Sequence, residues 1–189
     1  MSISDADIQQ LLDERAIEKC VMRYARGIDR HDSALIESAF HEDGIDHHGG
    51  AARRPSELSA WGNDLHATHT RGHQHFICNT TVEIDGDVAH SESYVLFVLW
   101  RRTEPIVDIS GGRYVDRLER RGGRWGIVER VVTVDWTAEA KEGADAKGTL
   151  ATYARGEWDA RDVSYRRPLA WGPQDVADFS FGTRLSRPR

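Results

Sequence analysis

The chain has 189 residues, 39% of them hydrophobic and 30% charged, with a net charge of −6 at pH 7. That length suits one domain with a real core and is short for two. The negative balance argues against nucleic acid or an anionic membrane as main partner, since both select positive surface, and no apolar run approaches the roughly 20 residues of a membrane helix.

The acidic start, Met1 to Asp5, lacks the basic-then-apolar pattern of a signal peptide. Cys20 and Cys78, the two cysteines, sit among apolar neighbours. They read as buried thiols of a reducing compartment, with a single bridge as the alternative. A cytoplasmic protein is the expectation.

Residues 5 to 29 predict one long helix, with Ile8, Leu11, Leu12, Ile17, Cys20, Val21, Tyr24, Ala25 and Ile28 at helical spacing and Ser4 or Asp5 as cap. Gly27 is its weak spot. Asp32 or Ser33 caps a short second helix through Phe40, which His41 to Gly44 breaks. A short strand follows from Ile45 to His48, then a Gly49-Gly50 turn, then a third helix opened by Pro55 and running to about His69.

From residue 72 the period becomes alternating. Four strands are predicted over 73–84, 88–101, 106–121 and 124–137, broken at Asp85-Gly86-Asp87, Thr103-Glu104-Pro105 and Arg121-Gly122-Gly123-Arg124. Helices first and a long antiparallel sheet after make an α+β layout. Glu139 to Gly148 reads as a loop. The tail beyond it carries Tyr153, Trp158, Tyr165, Trp171, Phe179 and Phe181, too aromatic for a wholly disordered segment. We therefore divide the chain into a domain over 1–138 and an extension over 139–189 that packs on the core or on a neighbouring subunit, with Ser186 to Arg189 frayed.

Several residues stand out for chemistry. Asp29 falls at the edge of the apolar stripe near a helix C-terminus, where the dipole disfavours negative charge; the plain alternatives are a solvated helix-end carboxylate or a cap of the second helix. His75 is one of seven histidines between residues 41 and 75, and imidazole suits proton abstraction near neutral pH. On its strand the apolar set is Phe76, Cys78, Val82 and Ile84, so alternation puts His75 with His73, Asn79 and Thr81 on a polar face, either solvent or cavity lining; a bulge near Gly72 would alter that. His73 is the alternative base. Arg130 interrupts the apolar series Val128, Val132, Val134, Trp136. A guanidinium there needs an anionic partner, either substrate or Asp116 on the neighbouring strand. Tyr24 lies inside the helix stripe, aimed at a pocket or serving as core. His66, His69, His73 and His75 could supply four nitrogens to a metal, but no HExxH or cysteine pattern supports that reading. No GxGxxG, Walker or GxSxG motif occurs.

Three pieces together resemble the SnoaL-like branch of the NTF2-like superfamily: Tyr24-Ala25-Arg26-Gly27-Ile28-Asp29-Arg30-His31-Asp32, then Gly72-His73-Gln74-His75-Phe76, and the hairpin from Gly112-Arg113-Tyr114 through Gly122-Gly123-Arg124-Trp125 to Arg130. The resemblance implies an NTF2-like cone: N-terminal helices packed on a curved, mostly antiparallel sheet that encloses a pocket. It is strongest toward dehydrochlorinases, bile-acid 7α-dehydratases and scytalone dehydratases, cofactor-free lyases with a His–Asp pair inside the cone. It carries the catalytic histidine onto His75, the aspartate onto Asp29, a pocket tyrosine onto Tyr24 and a last-strand arginine onto Arg130. The middle-strand aspartate of the bile-acid enzymes has no clear match, Asp108 being a poor one by position. The resemblance thus implies a cofactor-independent lyase of dehydratase type, or an isomerase, acting on a hydrophobic oxygenated ring such as a steroid or polyketide. It also implies a dimer or trimer. The alternative is a non-catalytic binding or assembly subunit, like the β subunit of ring-hydroxylating dioxygenases.

Overall fold

The computed structural model describes residues 3–143, 153–154 and 156–170. Trp171, Phe179, Phe181 and the 186–189 terminus lie outside the described residues.

Helix α1 spans Asp5–Arg30 and starts on a capping box, in which Ser4 and Asp7 satisfy each other's backbone N–H groups. It buries Ile17, Cys20, Val21, Tyr24, Ala25 and Ile28. Asp13 ties its outer flank to the far hairpin, accepting from the Trp125 indole at 2.8 Å and from Arg120 at 2.9 Å. His31 stops the helix in the left-handed region. Asp32 then caps α2, Ser33–Glu37, by accepting from the Leu35 N–H.

The predicted weak spot at Gly27 has a packing reason. A Cβ there would lie 2.7 Å from both the backbone nitrogen and Cγ1 of Ile36, so the glycine permits α1 and α2 to touch. Gly27→Ala should cost about 1–3 kcal/mol by overpacking, read as a lowered denaturant midpoint with an unchanged slope.

The sheet has six strands in the order β2-β1-β6-β5-β4-β3: β1 Phe40–His48, β2 Ala51–Arg53, β3 Thr70–Asp85, β4 Val88–Arg101, β5 Ile106–Arg121 and β6 Arg124–Lys141. All neighbours are antiparallel except β1 and β6. Helix α3, Pro55–His69, bridges β2 to β3. Leu58 of α3, the inner stripe of α1 and the sheet residues Val95, Tyr114, Leu118, Trp125 and Ile127 share one core. This is the α+β cone, helices against a curved open sheet.

Four sequence expectations need correction. The second helix was expected through Phe40 and the strand from Ile45, yet α2 ends at Glu37 and β1 begins at Phe40, which pairs with Ile127 of β6 ahead of an irregularity that runs to Ile45. Strand β6 continues to Lys141, pairing with Ile106, so 139–141 is not loop. A register shift between Ile77 and Thr80 reverses the faces of β3 midway. Phe76 and Cys78 therefore face outward while Val82 and Ile84 face in, and Cys78 is an exposed free thiol; only Cys20 is buried. Val134 and Trp136 are both exposed, with a similar shift between Gly111 and Gly112 falling between them, so Arg130 interrupts a shorter inner face than alternation suggests.

Among the described residues no helix is long and apolar enough to cross a membrane. The described part of the extension touches the end of α1. Tyr165 donates to Asp32 at 3.1 Å, Arg26 to Ser164 at 3.2 Å, and Asp162 lies 3.5 Å from Arg30.

Candidate active site

Asp29 and His75 meet where α1 ends against the start of β3. The Asp29 carboxylate accepts from the His75 backbone N–H at 3.0 and 3.2 Å, and its Oδ1 meets His75 Nδ1 at 2.8 Å. A carboxylate only accepts, so Nδ1 carries the hydrogen and Nε2 keeps its lone pair. The double grip on backbone and ring fixes the imidazole in orientation and tautomer. Both side chains are nearly buried, with 7% exposure for His75 and 14% for Asp29.

His73, the alternative base, is otherwise employed. Its Nε2–H donates to the Ile28 carbonyl at 3.1 Å, and its ring stacks on His66 with centroids 3.9 Å apart. Burial holds His73 neutral, pushed down to about 3, and pushes His66 well below the usual histidine range. Phe97 covers His75 at 4.4 Å between centroids. At the outer side His31 stacks on Trp158 of the extension at 4.2 Å, and burial lowers it to about 4. Among the described residues no group of three or more His, Cys, Asp or Glu is placed to hold a metal ion. The His66 and His73 rings stack rather than converge.

The second half of the site is a caged cation. Arg130 and Asp116 are both fully buried and form a fork-to-fork pair, Nε to Oδ1 at 2.7 Å and Nη2 to Oδ2 at 2.6 Å. The guanidinium carbon sits 4.4 Å from the Tyr24 ring centre and 4.2 Å from that of Tyr114. Arg130 thus takes the structural partner expected for it, yet its Nη1 has no hydrogen-bond partner. Tyr24 is 1% exposed and stands edge-on to Tyr114 at 5.4 Å. His48 Nδ1 lies 3.7 Å from Asp46 Oδ1, and burial pushes the ring down to about 4.

The structure therefore brings His75 and Asp29 into direct contact and places Tyr24 against Arg130. Asp108 stands apart, paired with Arg101 at 2.6 and 2.8 Å. Sequence reasoning missed His48, Tyr114 and Asp46 as neighbours of the site. The strand register Asp46↔Arg130 is what assembles them, and a parallel pairing between distant strands leaves no local pattern to read. A separate open cleft of about 1150 Å³, lined by Glu37, Phe40, His41, Arg54, Arg121 and Arg124 among others, contains none of the four candidate residues.

Solved structures share this architecture. A putative scytalone dehydratase from Novosphingobium aromaticivorans aligns at 21% identity over 71% of this chain and 92% of its own, with a TM-score of 0.62. A hexachlorocyclohexane dehydrochlorinase, LinA type 2, aligns at 16% identity over 75% and 99%, with a TM-score of 0.68. Rv3472, a protein of unknown function from Mycobacterium tuberculosis, aligns at 27% identity over 71% and 78%, with a TM-score of 0.62. No curated protein is significantly similar to the chain. The model of the SnoaL-like domain matches residues 9–131, which takes in α1 from its second turn, α2, α3 and the sheet through the caged arginine, and on that match the chain belongs to the SnoaL-like family.

Proposed function

We propose that the protein is a cofactor-independent lyase that eliminates water from a hydrophobic, oxygenated ring of steroid or polyketide type. His75 Nε2 takes the proton from carbon, and Asp29 holds the ring and stabilises the imidazolium that forms. Arg130, through its unpartnered Nη1, and Tyr24 stabilise negative charge on the substrate oxygen. The observation that carries this reading is the Asp29–His75 contact at 2.8 Å, with Nε2 left as the basic atom. Dehydratase and dehydrochlorinase names among the structural neighbours support the reaction class.

The test is a panel of cyclic β-hydroxy ketones, steroidal and bicyclic, followed by the ultraviolet absorbance of the conjugated enone. Turnover of at least one member by the wild type, absent from His75→Gln, supports the lyase. If no member is turned over, and none binds, a scaffold role like that of a dioxygenase β subunit takes its place.

The described part of the extension belongs to the same reading, packing on the end of α1 through Asp162, Ser164 and Tyr165 and stacking Trp158 on His31. Association as a dimer or trimer is supported by Phe76, Tyr94, Val115 and Val131, which are exposed on the outer sheet face. Light scattering should give two or three times the 21.3 kDa chain mass; a monomer would refute it.

A further inference from the structure

Asp46 is fully buried, and neither of its carboxylate oxygens has a hydrogen-bond partner. Buried polar groups are satisfied in the great majority of cases, and an unpaired buried carboxylate is among the costliest exceptions. Arg130 gives it no hydrogen bond, because its Nε and Nη2 are both engaged on Asp116. Two further unpartnered polar atoms stand beside it. One is Nη1 of Arg130, its register neighbour on β6; the other is Nδ1 of His48, 3.7 Å from Asp46 Oδ1. Buried, unpartnered polar atoms on three side chains of adjacent strands make a place prepared for a polar group of a ligand.

We propose that Asp46 is the general acid of the site and, when protonated, protonates the oxygen that leaves. The proposal rests on the lyase reading. His75 Nε2 takes the proton from the ring carbon, and the electron pair of that C–H bond becomes the new C=C bond. The C–O bond breaks with its pair going to oxygen, and the Asp46 O–H proton joins that oxygen to release water. His75 then holds one extra proton and Asp46 lacks one, and exchange with solvent resets both. Substrates are thereby restricted to rings whose leaving group is a hydroxyl near Arg130 Nη1, with the acidic C–H near His75.

The surroundings favour the protonated form. The groups facing Asp46 are His47 and His48 on its own strand, Arg53 on β2, Arg130 on β6, Asp116 and Tyr114 on β5, Tyr24 on α1 and, beyond His48, His66 on α3. Burial outweighs the attraction of Arg130 and pushes Asp46 up to about 6, with Asp116 adding to the rise.

The test uses the full chain and the variants Asp46→Asn and His75→Gln. Infrared difference spectra of the free protein should show the carbonyl stretch of a protonated carboxylic acid at acid pH that fades as pH rises through about 6. It should be absent from Asp46→Asn and present in His75→Gln. With the β-hydroxy ketone panel, Asp46→Asn should lose 10²-fold or more in kcat, about the range of one general acid, and should lose the alkaline fall in rate through that same pH. Its melting temperature at neutral pH should rise, which separates lost chemistry from lost folding. A band that survives in Asp46→Asn, or a variant as fast as wild type with the same pH profile, overturns the proposal alone. Full activity in His75→Gln overturns the lyase reading beneath it.

Discussion

Asp29→Asn should lower kcat by about 10⁴-fold, and His75→Gln should lower it at least as far, with little change in the melting temperature of either. The asparagine keeps the shape and can still accept the His75 backbone N–H. It also presents an NH₂ group to the ring, which favours the tautomer with its lone pair on Nδ1 and turns a hydrogen toward the substrate. A wrong-tautomer histidine loses its function as base even though nothing has moved; in the serine-protease triad the same change costs about 10⁴. The contact being altered is the one at 2.8 Å between Nδ1 and Oδ1. Asp29→Asn and His75→Gln should therefore be grossly non-additive, the double variant falling no further than the worse single one. Steady-state kinetics on the β-hydroxy ketone panel checks both points. A double variant whose losses multiply would mean the two residues act separately.

The second large effect is on stability. Asp116→Ala should destabilise the protein by about 3–5 kcal/mol, because it leaves the fully buried Arg130 charge without its anion. The aromatic sandwich of Tyr24 and Tyr114 offers a cation–π contribution of at most about 2 kcal/mol and so cannot replace a carboxylate. Removing both charges at once, as in Arg130→Met with Asp116→Leu, should recover much of the loss, since a buried pair is often matched by apolar residues of similar volume. Urea unfolding of the three proteins decides it. If Asp116→Ala unfolds within about 1 kcal/mol of wild type, Arg130 does not carry its charge against Asp116 in the folded protein.

Asp46 belongs to the same ledger with the opposite sign. Its folded value of about 6, against 3.8 for a free aspartate, means the folded chain binds its proton more tightly than the unfolded one. Stability is then greatest below pH 3.8 as far as this group is concerned and declines as pH rises through about 6. The loss amounts to about 3 kcal/mol at neutral pH, since each pKa unit is worth about 1.4 kcal/mol. Asp46→Asn escapes that loss, which is why a more stable and less active variant is the expected outcome.

Local signals carried most of the fold. The Ser4 start, Pro55 at the head of α3 and the glycine turns at Gly86 and Gly122 each mark an element boundary by their own chemistry, and those boundaries stand within a few residues of the predicted ones, while the α1 stripe is buried only from Ile17 on, with Ile8, Leu11 and Leu12 exposed. What stayed hidden was set at long range. The β3 shift at Ile77–Thr80 puts Phe76 and Cys78 on the outer face, where apolar residues mislead any reading by alternation. The early start of β1 at Phe40 goes with its pairing to Ile127 of β6, more than eighty residues away along the chain.

The site divides the same way. His75 and Asp29 were individually ambiguous by helical and strand phase, and only the SnoaL-like motif pattern joined them. Arg130 was marked by its own strand, and its structural partner Asp116 was legible from hairpin pairing. Asp46 was not, because His47-His48-Gly49-Gly50 beside it reads as a polar approach to a turn. Nothing local says that a carboxylate there is buried without a partner.

The central claim is that His75, set by Asp29, removes a proton from a ring carbon. A ring ketone without a leaving group, such as 1-tetralone, isolates that step, because its α-hydrogens can exchange without any elimination. Incubated in D₂O with the protein and followed by proton NMR, its α-signal should decay faster than the buffer background with wild type and at background with His75→Gln. Wild-type exchange at the background rate, or equal exchange in His75→Gln, would contradict the account.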